Sequence, residues 1–243
     1  MKWPSPPEDL ELIDSCIDVW RSDIDLSKSE IESYYESLSD EEKNRAGLFT
    51  FPDKRKEFIV TRGLLRAALA CLTKVPAKSF EFSYSKEKKP FLNSTEWKGL
   101  AFNVSHSHGQ ALVALTRNRQ LGIDIEYIRK DVDFNKLAKR FFSENEYKAL
   151  LDYEGETVRA FFSTWTRKEA FVKAIGKGIA FGLAEFDVNV DPEAPAELLA
   201  TRWQAEDAHK WRLGSLVCVE NYAATVAADG AEFALRYWQF DGD

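Results

Sequence analysis

The chain has 243 residues, 44% hydrophobic and 30% charged, with 17 Phe, 8 Tyr and 7 Trp. That apolar content predicts a folded core rather than disorder, and the length fits one large domain or two small ones. A net charge of -7 argues against a general nucleic-acid binder. No apolar run approaches the roughly 18–20 residues that cross a bilayer, and no apolar stretch follows Lys2, so neither a membrane span nor a secretory signal is expected. Cys16, Cys71 and Cys218 stand far apart, which excludes a disulfide framework and a thiolate zinc site and suits a reducing cytoplasm. His106, His108 and His209 are too few for a histidine zinc centre.

The first ~35 residues, with Pro4, Pro6 and Pro7, read as an extended start with one strand. Ser39 to Glu42 is a capping box, and Asp53 is placed to cap a second helix in which Phe58, Leu65, Leu69 and Leu72 recur at helical spacing. Phe80 to Tyr84 alternates as a strand and is broken at Lys89-Pro90. Leu100 to Val104, Ala111 to Thr116 and Leu121 to Ile128 read as short strands. Ser143 to Glu146 is a second capping box. A helical pattern runs from about Thr157 to Ile175 and stops at Gly176 and Gly178. Strand-like pieces follow at Phe186–Val190, Leu213–Glu220, Ala223–Ala228 and Phe233–Phe240. Each half mixes helices and strands without a linker, so the expected fold class is α+β with two lobes, residues 1–118 and 119–243.

Charge is unevenly spread. Residues 184–243 hold 12 acidic and 4 basic side chains, which leaves residues 1–183 at +1. The basic clusters Lys54 to Lys56, Arg62 with Arg66, Lys86 to Lys89 and Lys136 to Arg140 are either solvated helix faces or contacts to an anionic ligand or acidic partner.

In Leu121-Gly-Ile-Asp-Ile-Glu126 the apolar residues alternate with Gly122, Asp124 and Glu126. The two carboxylates therefore share a strand face, roughly 6.5–7 Å apart along the chain. The pattern fits an acidic outer face or a cation bound by oxygen ligands. Phe162, Trp165, Glu169, Val172 and Gly176 form one helical stripe, which turns Glu169 inward. Its partner is then Lys173 at i+4, or a metal shared with Asp124 and Glu126. Three carboxylates without histidine suit Mg²⁺ or Mn²⁺, and hence a phosphate or pyrophosphate substrate. Ser105, His106 and Ser107 stand where a strand gives way to a loop, and a hydroxyl and an imidazole there suit phosphate oxygens better than nucleophilic catalysis.

Phe102-Asn-Val-Ser-His-Ser107, Gly122-Ile-Asp-Ile-Glu126, Arg140-Phe-Phe-Ser-Glu-Asn-Glu-Tyr147 and Trp165-Thr-Arg-Lys-Glu-Ala-Phe-Val-Lys173 with Gly176-Lys-Gly178 stand in this order. Together they resemble the 4′-phosphopantetheinyl transferase superfamily in its long, Sfp-type form, over about Leu38 to Gly178. The resemblance implies a pseudo-dimer of two similar α+β lobes with the active site in the cleft between them. It implies transfer of the phosphopantetheine arm of coenzyme A to a serine of an apo acyl or peptidyl carrier protein, releasing adenosine 3′,5′-bisphosphate. It places Mg²⁺ on Asp124, Glu126 and Glu169, coenzyme A on Ser105, His106, Lys89, Pro90 and Lys173, and further phosphate contacts among Lys43, Arg45 and Arg62. As a mechanism, Glu169, directly or through a metal-bound water, is expected to take the serine proton, with Lys173 and His106 offsetting charge on the leaving bisphosphate. The family often has glycine where this chain has Lys88, which sets the adenine contact apart. A cytoplasmic monomer that binds neither membrane nor nucleic acid is expected. The competing readings are a metal-dependent phosphohydrolase or nuclease, and a non-catalytic coenzyme A-binding protein.

Overall fold

The structure, a computed structural model, describes residues 2–240 except 88, 93, 94, 179, 180 and 218. Cys218 and the residue at the family's glycine position, Lys88, thus lie outside the described residues. The chain divides into two compact units, Met1–Asn118 with Ala234–Asp243, and Arg119–Phe233. A second lobe of 119–243 is expected from sequence; Ala234–Gln239 instead pair with a strand of the first unit.

The first unit is built on a four-stranded sheet. Its strands are β1 (Cys16–Asp23), β4 (Leu100–Ser107), β5 (Gln110–Arg117) and β11 (Ala234–Gln239), in the order β11-β1-β5-β4. The last strand belongs here because it pairs in parallel with β1, from Cys16 opposite Ala234 to Arg21 opposite Gln239. The pairing is reinforced where Arg236 and Trp238 both donate to the fully buried Asp18 at 2.7 Å. Parallel pairing needs a long crossover, which local sequence pattern does not reveal. β4 and β5 are joined by a two-residue turn at His108 and Gly109, both at positive φ.

Three helices accompany this sheet: α1 (Lys28–Ser37), α2 (Asp40–Gly47) and α3 (Pro52–Thr73). Both short helices open with complete capping boxes, Ser27 with Glu30 and Ser39 with Glu42. The first of these forms where extended chain is expected from sequence. α3 starts differently from expectation: Phe51 is its N-cap, Pro52 opens it, and no side chain caps it, so Asp53 lies inside the first turn. Ile59, Val60, Leu64, Leu65, Ala68 and Leu69 of α3 are buried, most of them against Trp20, Phe102, Val113 and Leu115 of the sheet. A small hairpin, β2 (Phe82–Tyr84) and β3 (Pro90–Leu92), adds to this side; Pro90 opens its strand rather than ending one.

The second unit holds the antiparallel sheet β6-β10-β9, from β6 (Leu121–Tyr127), β9 (Trp211–Ser215) and β10 (Tyr222–Asp229). A second pair, β7 (Phe186–Val188) and β8 (Leu198–Thr201), lies beside it in sequence, and β8 has no counterpart in the sequence reading. The helices are α4 (Phe134–Phe141), α5 (Glu144–Leu151) and α6 (Thr157–Ile175). α5 opens with the predicted capping box, and α6 ends at Gly176 in the left-handed conformation, as the sequence reading has it. Both units are therefore mixed α+β, each with one long helix laid on a sheet.

Candidate active site

The carboxylate group is assembled by packing α6 on β6. The face of β6 that carries Gly122, Asp124 and Glu126 pairs with Ala227, Thr225 and Ala223 of β10, so small residues of β10 stand beside the two acids. Thr166 of α6 hydrogen-bonds Thr225 across the interface at 3.1 Å. A side chain at Gly122 would overlap the carbonyl oxygen of Ala170 and the amide nitrogen of Ala174, so glycine there lets the helix backbone approach the strand. The same approach brings Glu169 into electrostatic reach of Asp124 and Glu126.

Glu169 is 7% exposed, and its Oε1 is buried without a hydrogen-bond partner among the described residues. Its pKa is pushed up to about 7, first by burial and then by the Asp124 carboxylate, with Glu126 adding to the push and Lys173 opposing it. Lys173 reaches beyond its own helix. Its ammonium donates to Asp124 Oδ1 at 2.7 Å and to the Ile123 carbonyl at 3.1 Å, so it ties α6 to β6. Among the described residues no three His, Cys, Asp or Glu side chains converge closely enough to hold a metal ion in this conformation. The donor chemistry nonetheless suits a hard cation: the three groups are carboxylates, two of them buried, and Glu169 Oε1 is left without a donor among the described residues.

Residues 167–169 face three directions, about 100° apart on the helix. Arg167 donates to the carbonyls of Asn189, Asp191 and Ala194. Lys168, fully buried, donates to both oxygens of Glu146 at 2.5 and 2.7 Å and to the Phe186 carbonyl at 2.7 Å. The sequence reading passed over these two. For Lys168 the signal is the capping box, whose Glu146 has acceptor capacity beyond the Ser143 amide; nothing in the local pattern marks Arg167.

The predicted coenzyme A residues of the first unit are placed in several settings. Arg62 is enclosed by the rings of Phe58, Phe82 and Tyr84 and stands 3.3 Å from Glu42, and burial lowers its pKa. Glu42 also takes Arg66, which was read only as part of a basic cluster, at 2.6 Å. Lys43 pairs with Glu36 at 2.9 Å beside the Tyr35 ring, and Arg45 lies over Phe58. Lys89 and Pro90 sit at the start of β3, where the Ser85 amide donates to the Lys89 carbonyl and the Lys89 amide to the Ser85 hydroxyl, closing the hairpin. Ser105 and His106 are adjacent on β4 and so face opposite sides of the sheet. Ser105 is 6% exposed, whereas the His106 ring, 41% exposed, lies 3.5 Å from Glu57 of α3.

Residues 120–227 match the family model for the 4′-phosphopantetheinyl transferase superfamily, and residues 23–118 match the model for the N-terminal part of 4′-phosphopantetheinyl transferases. The chain is 37% identical over 240 residues to the 4′-phosphopantetheinyl transferase HetI of Nostoc sp., covering 98% of each. The chain belongs to the 4′-phosphopantetheinyl transferase superfamily. It is also similar to the transferase psf-1 of Bacillus pumilus, 32% identical over 71% of this chain and 72% of that one. The L-aminoadipate-semialdehyde dehydrogenase-phosphopantetheinyl transferase of Xenopus laevis is 32% identical over 63% of this chain and 54% of its own length. The protein is thus a phosphopantetheinyl transferase. The family match also spans the Gly122 block and the α6 block that bring the three carboxylates to one packing interface.

Proposed function

We propose that this transferase moves the 4′-phosphopantetheine arm of coenzyme A onto a serine hydroxyl of an apo acyl or peptidyl carrier protein and releases adenosine 3′,5′-bisphosphate. The residues that would hold the divalent ion, Mg²⁺ or Mn²⁺, are Asp124, Glu126 and Glu169. The observation that carries the reading is Glu169: a buried carboxylate beside Asp124, with one oxygen lacking a donor and a pKa near neutrality. When bound, a divalent ion there supplies charge neutralisation to the pyrophosphate.

The chain's own residues do the rest. The serine oxygen attacks the phosphorus that bears pantetheine, the bond from that phosphorus to the bridging oxygen breaks, and the bisphosphate departs with that oxygen. Glu169 accepts the serine proton: its carboxylate is buried beside Asp124, and its Oε1 is without a donor among the described residues. Lys173, already on the carboxylate face, offsets charge on the phosphates. In the first unit, Arg62, Lys43 and Arg45 are cations for the nucleotide phosphates, with Lys89, Pro90, Ser105 and His106 as further contacts. Arg62 is held ready by Glu42 and three rings. Action in the cytoplasm as a single chain belongs to the same proposal; no described helix is long and apolar enough to cross a membrane.

Mass spectrometry of an apo carrier protein incubated with this protein, coenzyme A and Mg²⁺ tests the reading. The carrier should gain the phosphopantetheine mass. Asp124→Ala, Glu169→Ala and chelation of the metal should each abolish the gain. Undiminished transfer after chelation, or in either variant, would overturn the assignment.

A further inference from the structure

Lys168 and Glu146 form a buried ion pair that no step of the proposed reaction uses. Removing charges from water is costly, and an apolar pair of the same volume is often as stable or more so, so stability alone is a weak reason for such a pair. Its geometry suggests another role. Lys168 Nζ meets Glu146 Oε1, Glu146 Oε2 and the Phe186 carbonyl within 2.7 Å. Glu146 in turn accepts the amides of Ser143 and Val188, at 2.9 and 2.8 Å. One ammonium therefore bolts α6 to the N-terminus of α5 and to β7 at once. On the adjacent turn of the same helix, Lys173 fastens α6 to Asp124 and Ile123 of β6.

Glu169 follows Lys168 directly. Its Oε1, buried and lacking a hydrogen-bond partner among the described residues, is not located by a bond of its own. Where that oxygen stands is set by the rotation and advance of α6. A charge with three directional partners fixes both more sharply than an apolar contact, which tolerates sliding.

We propose that the Lys168–Glu146 pair is a positioning device for Glu169, setting the helix so that the carboxylate meets a divalent ion together with Asp124 and Glu126. This rests on the metal reading above. Lys168 and Glu146 are positioning residues, since neither faces the carboxylate group itself.

The test is the double variant Lys168→Met with Glu146→Gln, which leaves no charge in the buried pair and keeps one amide oxygen, for either the Ser143 or the Val188 amide. Lys168→Met alone strands a buried carboxylate and serves only as a comparison. Mn²⁺ affinity is measured by paramagnetic resonance on the full chain without substrates, and transfer is measured against Mg²⁺ concentration. A core truncation in the other unit, Leu64→Ala, is titrated to the same loss of melting temperature as a control. The double variant should bind Mn²⁺ about ten-fold or more weaker than wild type. Its apparent KM for Mg²⁺ should rise likewise, kcat should recover at saturating Mg²⁺, and the KM for the carrier protein should be unchanged. Mn²⁺ affinity equal to that of Leu64→Ala would overturn the positioning role and leave the metal reading intact. A wild-type protein that binds no Mn²⁺ would overturn the metal reading itself.

Discussion

Glu169 carries the clearest chemical signature of any single residue. A carboxyl whose pKa rises on folding, from 4.5 to about 7, is bound to its proton more tightly in the native state than in the unfolded chain. Its contribution to stability is whole below pH 4.5 and is lost as pH rises through 7, a cost on the order of 3 kcal/mol above that range. Glu169→Gln should therefore raise the melting temperature of the metal-free protein at pH 8 and leave it nearly unchanged at pH 4. Equal gains at both values would show that Asp124 and burial do not act on Glu169 as described. Mg²⁺ should raise the melting temperature of the wild type at pH 8 and not that of the glutamine variant, because binding to the native state stabilises it by mass action.

Helices and strands bring these groups together, and glycine at position 122 sets how closely. Gly122→Ala puts a methyl into the backbone of α6 at Ala170 and Ala174. Overpacking of this kind costs about 1–3 kcal/mol and shifts backbone. Transfer activity should fall further than stability does, because the shift displaces Glu169 from Asp124; thermal denaturation alongside a carrier-loading assay checks this. A recurring device appears at the same scale. The capping-box glutamate of a short helix is buried and takes a cation from the long helix: Glu42 takes Arg66 of α3, and Glu146 takes Lys168 of α6. Each glutamate thus serves its own helix terminus and its neighbour. The box is readable in sequence from Ser39 and Ser143, but its second use depends on which residue of a distant helix arrives there.

At the scale of the whole molecule, the chain's end completes its beginning. β11 pairs with β1, and Arg236 and Trp238 satisfy Asp18, whose side chain is fully buried. A chain ended at Phe233 leaves that carboxylate without these donors, a defect of about 3–5 kcal/mol. Amide exchange should then accelerate along β1 and β5 while β6 and β10 keep their protection. Uniform loss across both sheets would show that the two units do not fold as separate contact groups.

Local pattern was sufficient for much of this protein. Alternation in 121–126 put Asp124 and Glu126 on one face, helical spacing turned Glu169 inward, and both the span of α6 and its stop at Gly176 could be read directly. These are periodicities of 2 and 3.6, properties of a few neighbouring residues. α1, β8 and the parallel partner of β1 were not legible, because a short amphipathic segment or a sheet neighbour is chosen by contacts distant in sequence. The partner of Lys173 is such a case. At i+4 from Glu169 it fits a helical ion pair, yet packing of α6 on a glycine-bearing strand also brings its ammonium to Asp124 at 2.7 Å.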